Sequence, residues 1–169
     1  MRSSIKNAHF KVGDKVVYPS HGVGHITGEE VEVFAGVETK VYVISFAENS
    51  MKLRVPKARA KKIGLRHLSS DDSIKEVTKI LSTTTKTTKV MWNKRIQNYE
   101  MKVNSGNITA LAEVIRELHK EDLTNLSYSE KNIYTNALDR LSDEFSLSQN
   151  LQKEKAITQI LEILNGKNN

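Results

Sequence analysis

From Phe10 to Leu68 apolar and polar positions alternate in short runs separated by turn residues. "KVVYP" is a brief β-rich run closed by proline. "GVGHITGEEVEVF" opens on paired glycines and then sets Val31 and Val33 against Glu30 and Glu32. Ala35 and Gly36 read as a turn into "VETKVYVISF", where Val41, Val43 and Ser45 alternate with Tyr42, Ile44 and Phe46. "AENS" is the next turn, and "MKLRVP" places Met51, Leu53 and Val55 on one face, with Lys52 and Arg54 on the other. A period of two bounded by Gly, Pro and Asn marks half-buried strands. About five short strands in roughly sixty residues, joined by tight turns, predict a small antiparallel β-barrel of the SH3 or Tudor type.

After Leu68 glycine becomes scarce and the apolar period becomes helical. "SSDDSIKEVTKILST" carries a serine cap, two acids in its first turn and the stripe Ile74, Val77, Leu81. "STTTKTTK" is β-branched and polar, a poor helix interior and a candidate hinge. A helix then starts at Trp92 and ends at "NSGN", where Gly106 suits the left-handed position beyond a helix end. "ITALAEVIRELHKED" aligns Ile108, Leu111, Ile115 and Leu118 on one face. "SYSEKNIYTNALDRL" begins with a capping box from Ser127 to Glu130, and a last helix covers roughly Leu151 to Leu164. The predicted fold class is β + α in two domains, a small barrel followed by an all-α bundle of four or five helices. Its parts are a tail over 1–9, the β domain over 10–68, the helical domain over 69–165 and a frayed end over 166–169.

Composition narrows the function. A length of 169 residues suits one large domain or two small ones, and a formal net charge of +6 points to an acidic partner, nucleic acid first. The absence of cysteine excludes disulfides and thiolate metal sites. No apolar run is long enough for a signal peptide or a membrane span, so a soluble, cytoplasmic protein with no membrane partner is expected; a monomer is expected as well. Catalytic chemistry has little to stand on. There is no glycine-rich phosphate loop, no H-E-x-x-H, no G-x-S-x-G and no cysteine nucleophile, so neither an enzyme nor a cofactor is expected. His21 and His25 stand four apart, but they flank Gly22 and Gly24 in a turn with no acidic or thiol ligand nearby. They read as turn or strand-end residues, and no metal site is expected.

Two features carry more. Between Asn49 and Ser70 lie Lys52, Arg54, Lys57, Arg59, Lys61, Lys62 and Arg66, and no acid. A solvated face is the plain reading, yet mixed signs would serve solubility as well. Arg54 lies mid-strand and projects opposite the apolar face, which suits a bidentate contact to a carboxylate or phosphate. The second feature is Trp92, the one tryptophan of the chain. Trp92, Ile96, Tyr99 and Val103 form a helical stripe, which is the pattern of a core. Trp92 is also in the first turn, with Lys89 and Arg95 flanking its projection and Lys94 near, the pattern of a wedge among cations that minor-groove binders use. Spacing leaves both readings open.

"FKVGDKVVYPSHGVGHI", "LRVP", "WNKR", "SGN", "LAEVIRELHKED" and "LSYSEK" follow one another in the order found in the bacterial CarD/CdnL transcription regulators, which the chain resembles from Ala8 to Leu164. The first module is shared with the polymerase-interacting domain of the transcription-repair coupling factor, whose helicase motifs are missing here. The resemblance implies a Tudor-like domain that binds the RNA polymerase β subunit, and a helical domain that touches promoter DNA at the upstream edge of the melted −10 region. It matches Arg54 to the polymerase-contacting arginine, with Lys52, Val55 and Pro56 beside it. It matches Trp92 to a tryptophan that wedges into the minor groove and stabilises the open complex. Lys94, Arg95 and Lys131 match basic positions of the DNA surface, and Lys89 flanks the same tryptophan. Glu32, Gln97 and Asn136 depart from positions that are basic in some relatives. The competing reading, from another class, is a Tudor-like RNA- or ribosome-binding protein whose basic barrel is the nucleic-acid surface.

Overall fold

The computed structural model describes residues 9–47, 50–84, 90–120 and 123–166. The chain divides into two compact units between His67 and Leu68.

The first unit is one antiparallel sheet of β1 (Lys15–Tyr18), β2 (Gly22–Phe34), β3 (Val37–Phe46), β4 (Met51–Pro56) and β5 (Arg66–His67). A single 3₁₀ turn and the short helix α1 (Ala60–Ile63) lie between β4 and β5. The spatial order is β4-β3-β2-β1-β5. The end strands β4 and β5 are not paired with each other, so the sheet is open where the alternating pattern predicted a closed barrel. Pro19 ends β1, and Ala35 and Gly36 both take positive φ (50° and 80°), the geometry a two-residue hairpin loop needs to follow the strand twist. The register of β2 against β3 shifts between Ile26 and Gly28, a bulge that bends the long hairpin. Val16, Ile26, Ile44, Phe46 and Val55 form the core with Phe10, Tyr42, Ala60 and Leu65.

β5 has no hydrophobic pattern of its own. It exists because Arg66 and His67 pair with Val17 and Val16 of β1, after Gly64 reverses the chain at φ 98°.

The second unit holds α2 (Asp71–Ser82), α3 (Trp92–Asn104), α4 (Ile108–Leu118), α5 (Tyr128–Ser148) and α6 (Lys153–Leu164). Ser70 caps α2 by accepting from the Ser73 backbone N–H, and Ser127 and Glu130 form the expected capping box. Gly106 follows α3 at φ 74°. The apolar faces of all five helices meet in one core, to which α4 contributes Ile108, Leu111, Ala112, Val114, Ile115 and Leu118. α5 runs past the segment that suggested it, through "SDEFSLS". Glu144 is buried there because its carboxylate accepts from the Ser69 backbone N–H (2.9 Å) and hydroxyl (2.6 Å). The threonine-rich tract read as a hinge falls mostly on residues outside those described.

Candidate partner and nucleic-acid interface

On the first unit, β4 turns Lys52 and Arg54 outward, as the alternation predicts. Val55 is buried in the core, so its side chain is not presented to a partner. Pro56 is half-buried. Arg54 is 45% exposed, and its Nε lies 2.9 Å from Glu30 and 2.8 Å from Glu32. Both acids are on β2, two strands away, so the arginine crosses β3. Register puts Arg54, Val43 and Val41, with Glu30 opposite Val41, on one face. This explains why Val41 and Val43 are buried although they face away from the core. The Glu30 hydrogen bond and charge, with Glu32 beside it, hold the Arg54 guanidinium above its ordinary basicity. Lys57 is likewise committed, to Glu29 at 2.6 Å and over the Tyr42 ring. The cationic run is therefore partly neutralised by glutamates of β2.

His21 packs against the Tyr18 and Phe46 rings. Among the described residues no cluster of three or more His, Cys, Asp or Glu could hold a metal ion. Among the same residues no helix is long and apolar enough to cross a membrane.

On the second unit, the stripe Trp92, Ile96, Tyr99, Val103 splits by depth. Tyr99 and Val103 are buried and Ile96 is half-buried, but Trp92 is 49% exposed. The reason lies in how α3 is docked. The Arg95 guanidinium donates to Glu130 of α5 at 2.9 Å, and the Arg140 guanidinium of α5 donates to the Val103 carbonyl of α3 at 3.0 Å. The two helices thus run side by side in the same direction, and their N-termini lie at one end of the unit. Trp92 is the first residue of α3 and overhangs that end.

Lys94 and Lys131 are exposed there. The start of α3 is unusual chemically. Met91 at its cap position supplies no side-chain acceptor, and its first turn holds no acid. Free N–H groups, the positive end of the helix dipole and the exposed Lys94 meet in one turn, which favours an external anion. Arg95, in contrast, is drawn inward by Glu130. Lys89 lies outside the described residues.

Residues 10–69 match the model of the CarD-like/TRCF RID domain, and residues 76–162 match the CarD C-terminal domain. The chain belongs to the CarD family. It is also similar to "Putative transcription factor YdeB" of Bacillus subtilis (strain 168), 26% identical over 147 residues that cover 86% of this chain and 96% of that protein. Arg54 lies in the first CarD-family match, and Trp92, Lys94, Arg95 and Lys131 lie in the second.

Two further large side chains stand exposed at this end of the helical unit. Tyr128, the first residue of α5, is 81% exposed, as is Met91. A signal for Tyr128 was present. The residue after a capping-box serine opens the helix, where the flanking turn cannot cover it. Lys131 stands three positions on, one helical turn away, with its backbone N–H donating to the Ser127 carbonyl at 2.9 Å.

Proposed function

We propose that this CarD-family chain is a non-enzymatic transcription regulator. Its N-terminal unit binds the RNA polymerase β subunit through the outward face of β4, with Arg54 as the central contact and Lys52 and Pro56 beside it. Its helical unit stabilises the promoter open complex by minor-groove contact at the upstream edge of the −10 bubble. The observation that carries the DNA half is the half-exposed Trp92, first residue of an α3 start that no side chain caps, with Lys94 exposed in the same turn and Lys131 exposed in the first turn of α5. A large aromatic held there gains little from its own core, and an apolar wedge among cations suits entry between base steps. The SH3- or Tudor-like class of the first unit belongs to the same proposal, since the sheet as paired is open.

The mechanism follows from the residues. Lys94 and Lys131 engage phosphates without reading sequence, while Trp92 gains its contact where a base step has opened. Two or three phosphate contacts bind duplex DNA weakly, with dissociation constants of about 10⁻⁴ to 10⁻⁶ M at physiological salt. Polymerase, held by the other unit, raises the effective concentration of the promoter.

The test is the lifetime of a bacterial polymerase–promoter open complex with and without the full chain, after challenge with heparin. A longer lifetime that requires both Arg54 and Trp92 is the expected result. No change in lifetime, together with co-purification of ribosomal RNA instead of polymerase, would replace this proposal with the RNA-binding reading.

A further inference from the structure

Arg95 stands in the first turn of α3 among the proposed DNA contacts, yet its surroundings are those of a structural group. Its Nη2 donates to Glu130 Oε1 at 2.9 Å, and its Nε is buried. Its backbone N–H donates to the Met91 carbonyl at 3.0 Å, which closes the first turn of α3. Glu130 is 7% exposed and divides its two oxygens between two tasks. Oε1 takes Arg95, while Oε2 accepts from the Ser127 backbone N–H at 2.9 Å and completes the capping box of α5. Each partner is thus anchored in the first turn of its own helix. Burial alone would push the Glu130 carboxyl up, but the Ser127 hydrogen bonds, Arg95 and Lys120 outweigh it and leave it below its ordinary range.

The start of α3 needs such an anchor. A helix end without a side-chain cap frays, because its first N–H groups have no partner. Fraying there would swing Trp92 and Lys94 away from Lys131.

We infer that the Arg95–Glu130 pair is a clasp that fixes the N-termini of α3 and α5 side by side, so that Trp92, Lys94 and Lys131 act as one surface. Arg95 is a positioning residue and not a phosphate contact. The inference rests on the reading that this end of the helical unit meets DNA. Arg95 then differs in duty from Lys94, which the sequence presents as an equivalent cation.

The single tryptophan allows a test that does not depend on DNA. Acrylamide quenching and fluorescence anisotropy of Trp92 report the first turn of α3 in the full chain. Arg95→Met keeps the aliphatic stem, and Glu130→Gln keeps a carbonyl for the Ser127 N–H. Both variants and their combination should show faster quenching and lower anisotropy, with the double variant no worse than the more affected single one. Unchanged fluorescence in both single variants would overturn the clasp. If Glu130→Gln loses helix content, Arg95→Met carries the test alone, since Arg95 takes no part in the capping box.

The second arm measures binding to a 25-base-pair duplex at several salt concentrations. Arg95→Met and Glu130→Gln should each weaken binding by between about twofold and tenfold, with the double variant non-additive. Neither should change the slope of log K against log salt, whereas Lys131→Ala should reduce that slope by about 1. A slope reduced by about 1 in Arg95→Met, with Glu130→Gln binding as wild type, would make Arg95 a direct phosphate contact and overturn the inference. A wild-type chain that binds neither the duplex nor the promoter complex would sink the DNA reading, while the fluorescence arm would still decide the clasp.

Discussion

Arg54 and Glu32 face each other across β3, with the arginine Nε 2.8 Å from the carboxylate, and Glu30 shares the same nitrogen at 2.9 Å. The resemblance read in the sequence sets Glu32 at a position that is basic in some relatives. Its presence does more than remove a cation, because it gives Arg54 a counter-charge within the chain. A polymerase acid must displace or share that counter-charge. Glu32→Ala should therefore tighten polymerase binding, by up to about fivefold, since an exposed, solvent-screened pair of this kind is weak. Titration of labelled chain with core polymerase measures it, and weaker binding would mean that the glutamates hold Arg54 in its binding pose.

Arg54→Ala should reduce polymerase affinity by about thirtyfold or more, the scale expected for losing a charge-paired arginine at an interface. Alanine is the informative substitution. Arg54→Glu would set three carboxylates on one face of the sheet and confound binding with stability. Co-purification with the β subunit at wild-type levels would place the binding face elsewhere.

Trp92→Ala and Tyr99→Ala, seven residues apart on one stripe, should behave in opposite ways. Tyr99 is buried, so its truncation should cost about 3–5 kcal/mol and visibly lower the melting temperature. Trp92 is half-exposed, so its truncation should leave the melting curve nearly intact and shorten the open-complex lifetime. Each 1.4 kcal/mol of lost contact corresponds to about a tenfold shorter lifetime. A collapsed melting curve for Trp92→Ala would return it to the core.

Glu130 makes the helical unit sensitive to acid. Its carboxyl is held below its ordinary range in the folded chain. A group lowered in this way stabilises the fold at pH values above the unfolded pKa, about 4.3, and loses that contribution as pH falls through the folded value. Melting temperature should therefore drop below about pH 4 more steeply in wild type than in Glu130→Gln. Parallel pH profiles for the two proteins would show that Glu130 adds nothing to acid stability.

Gly24→Ala should destabilise the first unit. A Cβ at this position would stand 2.8 Å from Ile44 Cγ2 and 2.9 Å from Phe46 Cε1, inside any tolerable contact. Overpacking of this kind costs about 1–3 kcal/mol. Chemical denaturation would register it, and wild-type stability would mean that the Ile44 and Phe46 side chains yield.

What the sequence determined by itself was everything encoded within a few residues. The alternation of Met51, Leu53 and Val55 against Lys52 and Arg54 sets the faces of β4, and Ser127 with Glu130 sets the start of α5. Gly36 and Gly106 mark a hairpin and a helix end because backbone conformations with positive φ favour glycine. The apolar stripe of α4 is legible for the same local reason, since a periodic face must find a core. Tertiary structure decided what depends on partners distant in the chain. Whether the strands close into a barrel rests on the pairing of the end strands, which no local pattern specifies. β5 exists only through Val16 and Val17. The late turns of α5 look polar until Ser69 satisfies the buried Glu144, 75 positions away. A helical wheel gives Trp92 and Tyr99 the same stripe, but only the docking of α3 on α5 makes one exposed and the other buried. Likewise a cation reads the same in sequence wherever it stands, and its duty depends on the acid within reach. Glu30 and Glu32 engage Arg54, Glu130 draws Arg95 inward, and Lys94 stays open to solvent.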